Sequence, residues 1–157
     1  MSEPAIRRAA EKDIPALFRL LEQVNRVHCE GRPDLFRPGT KYSPEELETL
    51  LQDEGRPVFV YEDAESGVQG YAFCIVQQLH SRLMTDIKTV YIDDLCVDEK
   101  ARGRHIGQRL YEHVLAWARE IGSYNVTLNV WTLNAPAMRF YEKMGLKPQK
   151  IGMETIL

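Results

Sequence analysis

An apolar strand, a basic loop and the first turns of a helix follow one another without interruption between Tyr91 and Leu110. A further strand, predicted from Tyr124 to Trp131, comes after that helix. Two strands joined through a helix are expected to run parallel, because the connection must cross over one face of the sheet. The unit therefore predicts an α/β sheet with the loop at the carboxyl end of its first strand, where ligands bind in such sheets.

The loop gathers positive charge in a chain whose formal net charge is −3. The basic residues are Lys100, Arg102, Arg104, His105 and Arg109. The start of a helix has unpaired N–H groups and the positive end of the helix dipole, and both attract an anion. This stretch therefore predicts a phosphate-binding strand–loop–helix.

Two familiar phosphate loops do not match these residues. The Walker A loop ends in Gly-Lys followed by Ser or Thr, whereas this loop ends in Ile106-Gly107-Gln108. The dinucleotide fingerprint requires three spaced glycines, and only Gly103 and Gly107 are present. The loop therefore belongs to another type of phosphate-binding loop.

Periodicity and turn residues divide the rest of the chain into alternating elements. Helices are predicted from about Asp13, from the Ser43 capping box to near Gly55, from His105 to Ile121 and from the Asn134 cap to Met144. Strands are predicted at 5–9, 57–62, 69–78, 87–97, 124–131 and 149–156. The order β-α-α-β-β-β-α-β-α-β, without linker or repeat, predicts one mixed α/β domain over residues 1–157.

Composition excludes several classes of protein. A sequence pI of about 5.8 argues against nucleic-acid binding through bulk positive charge. No apolar run approaches the length of a membrane helix, and the first thirteen residues lack the apolar core of a signal peptide. Three cysteines without paired spacing predict free thiols, so we expect a cytoplasmic protein with no membrane partner.

Two motifs resemble those of the GCN5-related N-acetyltransferases (GNAT). The run Arg102-Gly103-Arg104-His105-Ile106-Gly107 resembles the family's acetyl-CoA loop, R/Q-x-x-G-x-G/A, except that His105 replaces the first glycine. LNVWTLNAPAMRFYEKMGL, residues 128–146, is similar to the second signature, an Asn that opens a helix carrying FYEKxGF. The resemblance covers nearly the whole chain and implies the GNAT fold, a mixed central sheet with helices on both faces.

The resemblance also implies where acetyl-CoA binds. The strands that end at Val97 and start near Tyr124 would splay apart, and the backbone of Leu95, Cys96 and Val97 would pair with the pantetheine arm. Backbone N–H groups from Arg102 to Gly107 would hold the pyrophosphate. Asn134 would serve as helix cap and cofactor contact. No metal is implied, since the histidines show no metal-ligand spacing.

His105 leaves two interpretations open, because a glycine at its position permits a left-handed backbone or a close approach to the ligand. The imidazole could reach the phosphates and strengthen cofactor binding. Alternatively, the loop tolerates the extra Cβ without using the ring.

Acetyl transfer to an amine requires a neutral nitrogen. At pH 7 an alkylamine with a pKa of about 10.4 is neutral in about one molecule in 2,500, a deficit of about 4.6 kcal/mol. Asp93 and Asp94 are the candidate bases, because two carboxylates within a central strand are unfavourable without a task. Adjacent strand residues point to opposite faces, so only one is expected to face the amine. A similar acidic pair in some polyamine acetyltransferases of the family favours Asp93, although both could be structural.

Tyr141, within the second signature, corresponds to the family's general acid, which protonates the departing CoA thiolate. A core-filling aromatic is the alternative role. The resemblance implies an enzyme that transfers acetyl from acetyl-CoA by direct attack to a primary amine of a small molecule. A protein N-terminal or lysine acetyltransferase and a non-catalytic acyl-CoA sensor remain alternatives.

The acceptor is expected to contact the segments least constrained by the motifs, namely residues 30–42, the second helix and residues 80–87. Dimers are common in the family, so a homodimer is compatible with the resemblance, although no residue pattern indicates one independently.

Overall fold

Five strands form one sheet in the order β1-β2-β3-β4-β5 in the computed structural model, which describes residues 4–157. The strands are β1 (Ala5–Arg8), β2 (Val58–Asp63), β3 (Gly67–Gln78), β4 (Lys88–Val97) and β5 (Asn125–Leu128). The first four strands pair antiparallel, and β4 and β5 pair parallel. The predicted α/β fold with a mixed sheet is therefore confirmed.

Four helices cover the two faces of this sheet. They are α1 (Ile14–Gly31), α2 (Pro44–Leu51), α3 (Ile106–Glu120) and α4 (Ala135–Lys143). The predicted capping box at Ser43 is present, since its hydroxyl accepts from the N–H of Glu46. Gly122, with a φ of 73°, follows the end of α3 as predicted. Within residues 4–157, no helix is both long and apolar enough to cross a membrane.

Each face of the sheet carries its own apolar core. Alternate strand residues such as Val60, Tyr71 and Phe73 pack against α1 and α2. Their neighbours, including Ala72 and Ile92, pack against α3. The period-2 alternation of a strand with two covered faces produces this division.

The sheet opens between β4 and β5. The two strands are paired only from Thr89 opposite Asn125 to Ile92 opposite Leu128. Beyond Ile92, β4 continues for five residues, of which the last four, 94–97, pair with β3 alone within the described chain. We call the space beside residues 93–97, on the β5 side, the strand opening. Strand β5 is thus shorter than the predicted 124–131, and the predicted splay is present.

The predicted sixth strand, residues 149–156, is wrong. This segment has no strand pairing within residues 4–157, and Ile151, Met153 and Ile156 are exposed. Alternating apolar residues indicate a strand only if a neighbouring strand supplies ladder hydrogen bonds. Here the chain instead passes the end of α1, where Glu154 is bonded by Arg32.

A partly buried ion pair holds β1 to the start of α1. Arg7 donates to both carboxylate oxygens of Asp13, at 2.8 and 2.9 Å, and to Glu62 on β2. Asp13 is 5% exposed and also accepts from the N–H of Ala10. The hydrogen bonds from Arg7 lower the pKa of Asp13 below its ordinary value, against the effect of burial.

We therefore expect Asp13→Asn to lower the free energy of unfolding by about 2 kcal/mol at pH 7, because charge-assisted hydrogen bonds are lost. Since the folded pKa is depressed, this contribution exists above the unfolded pKa of about 3.9 and disappears as the pH falls through the folded value. Urea unfolding of both proteins between pH 3 and pH 7 measures the difference. The exposed Asp86→Asn is the control, expected within about 0.5 kcal/mol at every pH.

Candidate active site

A β-bulge in β4 places both candidate carboxylates on the same face of the sheet. Cys74 pairs with Ile92 and Phe73 pairs with Asp94, so Asp93 is the extra residue. Ile92 and Leu95, three positions apart, both pack toward α3, whereas Asp93 and Asp94 contact residues from the opposite side. The expectation that the adjacent carboxylates point to opposite faces is therefore wrong, because strict alternation does not hold through a bulge.

Asp93 is held by the loop between α1 and α2. The hydroxyl of Tyr42 donates to Asp93 Oδ2 at 2.6 Å, and Lys41 Nζ donates to Oδ1 at 2.8 Å. Arg56 in turn donates to the Tyr42 hydroxyl at 2.9 Å. Burial, followed by the hydrogen bond to Asp93, raises the pKa of Tyr42 well above its ordinary value. Tyr42 therefore remains a proton donor to Asp93 at neutral pH.

Within the described residues, Asp94 has one side-chain hydrogen-bond partner, the hydroxyl of Tyr71, which donates to its Oδ2 at 2.8 Å. Burial raises the pKa of Asp94 to about 6, against the hydrogen bond from Tyr71 and the positive charge of Lys41. The negative charge of Asp93 acts in the same direction as burial. Asp94 is thus ionised at neutral pH and accepts a proton more readily than an ordinary aspartate.

Tyr141 lies on α4, within electrostatic range of this carboxylate. Burial, and then the negative charge of Asp94, raise the pKa of Tyr141 above its ordinary value. Its ring packs edge-on against Phe140, with the ring centres 5.2 Å apart. A phenol with a raised pKa keeps its proton at neutral pH, as a general acid must before the transfer.

The predicted pantetheine-binding residues line the strand opening. Leu95, Cys96 and Val97 pair with Ala72, Tyr71 and Gly70 of β3 on one side. On their other side, no strand of the described chain pairs with them. Their backbone is therefore available to an extended ligand, as the edge of a sheet is to an added strand.

The basic loop, residues 98–105, ends in a left-handed residue. His105 has φ 60° and ψ 23° and is the only non-glycine residue between 4 and 157 with positive φ. In the acetyl-CoA loop motif that this stretch resembles, the same position is a glycine, which adopts this conformation without strain. Its side chain makes no capping hydrogen bond to α3. The loop thus keeps the left-handed conformation that a glycine would adopt at this position, and His105 is locally strained.

The first turn of α3 leaves its amides available. The first helical hydrogen bond runs from Arg109 N–H to the His105 carbonyl, at 3.0 Å. The N–H groups of Ile106, Gly107 and Gln108 therefore come before the first hydrogen bond within the helix and have no helical partner. Residues 102–105 are exposed around them. This arrangement suits a phosphate group.

Arg109, by contrast, is turned toward β2. Its guanidinium donates to the Tyr61 hydroxyl at 3.2 Å and lies 5.2 Å from the centre of the Tyr61 ring. Arg109 therefore does not join the other basic residues of the predicted positive cluster, since its guanidinium already contacts Tyr61 on β2.

Helix α4 is anchored beside the same loop. Asn134 caps it by accepting from the N–H of Ala137 at 3.3 Å, as predicted. A Cβ atom at Gly107 would lie 3.3 Å from Phe140 Cζ and 3.6 Å from Val97 Cγ2. The absence of a side chain at Gly107 therefore allows α3, α4 and the end of β4 to meet closely.

Of the expected acceptor segments, the one at residues 30–42 contacts the acidic pair, through Lys41 and Tyr42. Residues 80–86 are exposed, as is Asp34, which is paired with Arg32. Trp131, 46% exposed, packs edge-on against Phe36 with ring centres 5.1 Å apart. An open cavity of about 440 Å³ lies against α2, lined by Tyr42, Glu45, Glu46, Thr49, Leu50, Asp53 and Arg56.

Three of the four histidines have partners unrelated to metal binding. His28 packs on Phe36, His113 packs on Phe59, and His80 lies 3.4 Å from Asp86. Between residues 4 and 157, no three His, Cys, Asp or Glu side chains form a group that could hold a metal ion. That the chain uses no metal stays a prediction from the motifs.

Sequence reasoning missed the residues that hold the acidic pair. Tyr71, Tyr42 and Arg56 carry no motif, and a tyrosine in a strand is an ordinary core residue. Lys41 and Tyr42 fall within the predicted acceptor loop, but nothing in their spacing connects them with Asp93. Only the packing of the loop against β4 brings these groups together.

Comparison with known proteins gives a consistent family assignment. The model of the Acetyltransferase (GNAT) family matches residues 21–146. A crystallised point mutant of the BH1408 protein from Bacillus halodurans is 32% identical, with a TM-score of 0.93, over 98% of this chain and 99% of that one.

Two curated relatives match over shorter stretches. Streptothricin acetyltransferase of Streptomyces lavendulae is 32% identical over 94 residues, 60% of this chain and 46% of that protein. Glucosamine 6-phosphate N-acetyltransferase of Arabidopsis thaliana is 32% identical over 66 residues, 42% of each chain. The chain thus matches less than half the length of either curated relative.

We expect His105→Gly to raise the free energy of unfolding by about 1 kcal/mol, because it relieves a left-handed strain of about 1–2 kcal/mol. Urea unfolding measures this change. Arg104→Gly is the matched control and should destabilise, since its φ is not positive. Calorimetric titration with acetyl-CoA then decides the role of the imidazole: weaker binding indicates that the ring assists, and tighter binding that it is a mild liability.

Proposed function

The chain belongs to the GNAT acetyltransferase family, and on that basis we propose that it transfers acetyl from acetyl-CoA directly to a primary amine of a small molecule. One observation carries the proposal. The strand opening connects a loop suited to a pyrophosphate with a pair of carboxylates and a protonated tyrosine. A cofactor that spans the opening would present its thioester to an acid and a base.

Acetyl-CoA would lie along β4 as an added strand. Its pyrophosphate would bind the amides from Arg102 to Gly107, and its pantetheine arm would pair with Leu95, Cys96 and Val97. Asn134, at the start of α4, would contact the arm from the other side of the strand opening. Because β4 and β5 meet again at Ile92, the thioester end would stop beside Asp93 and Asp94.

We propose Asp94 as the general base, directly or through a water molecule. Its pKa of about 6 is closer to neutrality than that of an ordinary aspartate, and general-base catalysis favours such a match. Asp93, bound by Tyr42 and Lys41, would hold the cationic acceptor by charge. This division departs from the expectation that Asp93 is the base, because the bulge gives the two carboxylates different surroundings on one face.

Tyr141 would donate the proton that the departing thiolate needs. Its raised pKa keeps the phenol protonated at neutral pH, so that the proton is still in place when the thiolate develops beside it. The resulting tyrosinate would regain a proton from the solvent or from the acetylated nitrogen. Direct transfer in this way needs no covalent enzyme intermediate.

A small cationic amine is the acceptor class we propose. Tyr42, which binds Asp93, also lines an open cavity whose wall includes Glu45, Glu46 and Asp53. Carboxylates around an entrance attract cations. The two curated relatives are named for streptothricin and glucosamine 6-phosphate, which is consistent with small-molecule acceptors. A protein N-terminus or lysine remains the rival acceptor.

The proposal also includes the extent of the domain, the location of the protein and its oligomeric state. Residues 1–157 would form one N-acetyltransferase domain, of which residues 1–3 lie outside the described part of the chain. The protein would act in the cytoplasm, in keeping with the free thiols of Cys74 and Cys96. A homodimer is compatible with the family.

The test of the proposed function is thiol release from acetyl-CoA with a panel of amines, from polyamines and amino sugars to amino acids and peptides. We expect turnover with at least one small primary amine. Turnover with peptides alone would favour the protein acetyltransferase. Acetyl-CoA binding without turnover of any amine would favour the non-catalytic sensor.

We expect Asp94→Asn to lower kcat/KM by about 100-fold or more at pH 7.5, within the range of general-base contributions. The ratio of wild-type to variant kcat/KM should be constant above pH 6 and should fall about tenfold per unit below it, as Asp94 becomes protonated. Asp93→Asn should keep the break in the pH profile. Loss of the break in Asp93→Asn, and not in Asp94→Asn, would assign the base to Asp93.

We expect Tyr141→Phe to lower kcat by about tenfold or more, because the thiolate then leaves without a positioned proton donor. The dissociation constant of acetyl-CoA, measured by calorimetry, should change little. The exposed Tyr124→Phe is the control and should match the wild type. An unchanged kcat in Tyr141→Phe across the pH range would exclude the acid role.

A further inference from the structure

The acidic pair already holds a primary amine that belongs to the protein itself. Lys41 Nζ donates to Asp93 Oδ1 at 2.8 Å and lies 3.4 Å from the Asp93 carbonyl oxygen. The lysine is exposed and comes from the loop between α1 and α2, so its long side chain reaches the bulge from outside the sheet. An alkylammonium therefore occupies the place at which the proposed function requires the acceptor nitrogen.

The electrostatic surroundings of Lys41 extend beyond this one hydrogen bond. Its positive charge opposes the rise in the Asp94 pKa that burial causes, and it adds to the lowering of the His28 pKa by burial. Asp94 in turn influences Tyr141. Asp94 thus interacts electrostatically with both Lys41 and Tyr141.

The path of the proposed cofactor ends at the same point. From Val97, next to the basic loop, to Asp93 at the bulge, β4 runs about 13 Å at about 3.3 Å per residue. A pantetheine arm that follows this edge stops where β5 rejoins β4 at Ile92, beside the two carboxylates. The thioester carbon and Lys41 Nζ would therefore lie at the same end of the strand opening.

Other lysines lack this arrangement. Lys88 donates to the carbonyl of Ile121, on the side of β4 away from the acidic pair. Lys147 and Lys150 lie in the exposed C-terminal segment. Among the described lysines, Lys41 is the one whose Nζ is bonded to a residue of the acidic pair.

We propose that Lys41 is a self-acetylation site, at which the protein transfers acetyl from acetyl-CoA to its own Nζ. This inference rests on the proposed function, since it uses the same cofactor and the same acid and base.

The atoms of this step balance as in transfer to a free amine. The Nζ ammonium loses one proton through the carboxylates to solvent, and the neutral nitrogen attacks the thioester carbonyl carbon. A C–N bond forms and the C–S bond breaks. The second proton leaves the nitrogen as Tyr141 supplies one to the sulfur, so that CoA departs as the thiol. The products are Nζ-acetyl-Lys41, free CoA and one proton released to solvent.

Acetylation would remove the positive charge that Asp93 now binds. A neutral amide holds a carboxylate less strongly than an ammonium does, so Asp93 would become available to a cationic acceptor. The unmodified lysine, conversely, competes with that acceptor for Asp93. Modification would therefore lower the KM for a cationic amine and leave acetyl-CoA affinity unchanged.

The experiment uses the full chain and acetyl-CoA with a deuterated acetyl group, so that new acetylation is distinguished from any acquired during expression. Proteolysis and mass spectrometry at successive times give the occupancy of every lysine. We expect Lys41 to be acetylated at least tenfold faster than Lys150, at a rate per molecule independent of protein concentration. Tyr141→Phe should lose this preference. In Lys150→Arg, the matched control, Lys41 should be modified at the wild-type rate.

A second measurement uses the Lys41→Gln variant, whose side chain imitates acetyl-lysine. With the best amine of the panel, Lys41→Gln should show a KM at least threefold below that of the unmodified wild type, whereas Lys41→Arg should retain the higher KM. Equal labelling of Lys41 and Lys150, or equal labelling of Lys41 in wild type and Tyr141→Phe, would indicate unassisted chemical acetylation and overturn the inference.

The failures of the two proposals are distinguishable. Thiol release with added amines, together with an unlabelled Lys41, would refute self-acetylation and leave the proposed function standing. Absence of both acetyl-CoA binding and thiol release would refute the two together. Thiol release without any added amine, with label on Lys41, supports both.

Discussion

The bulge at Asp93 is the constraint on which the candidate site depends. In a regular strand, one of the two consecutive carboxylates would point into the apolar core beneath α3, among residues such as Ile92 and Leu110, where an ionised group is strongly disfavoured. The extra residue turns both carboxylates to the face that carries Tyr42 and Tyr71. It also lies next to Ile92, where β4 and β5 separate. One local irregularity thus gives the sheet an acidic pair and a place for an extended ligand.

Burial has one electrostatic consequence for both groups proposed to move protons. It raises the pKa of Asp94 and of Tyr141 alike, because in each case the charged form loses solvation. For the carboxylate, the change increases proton affinity. For the phenol, it keeps the proton on the oxygen at neutral pH. The basic loop stands at the opposite end of the strand opening, so positive and negative charge are separated along β4.

Local patterns predicted the fold and the outline of the site. The crossover from β4 through α3 to β5, the Ser43 capping box and the Asn134 cap depend on nearby residues and are present. The bulge could not be predicted, because it has no marker in the residues around Asp93. Tyr42 and Tyr71 lie 51 and 23 residues from their aspartates, so that only tertiary packing unites them. The prediction of a strand at 149–156 was wrong for a related reason, because a strand also needs a neighbouring strand to pair with.

The close contact at Gly107 has a mechanical consequence. Phe140 fills the space that a side chain at 107 would take, and Phe140 immediately precedes Tyr141 on α4. The helix proposed to bind the pyrophosphate and the helix proposed to present the phenol to the sulfur are therefore packed closely together. A movement of one is transmitted to the other, since packed interiors yield little. In the proposed complex, binding of the nucleotide end of acetyl-CoA and alignment of its thioester end would therefore be mechanically coupled.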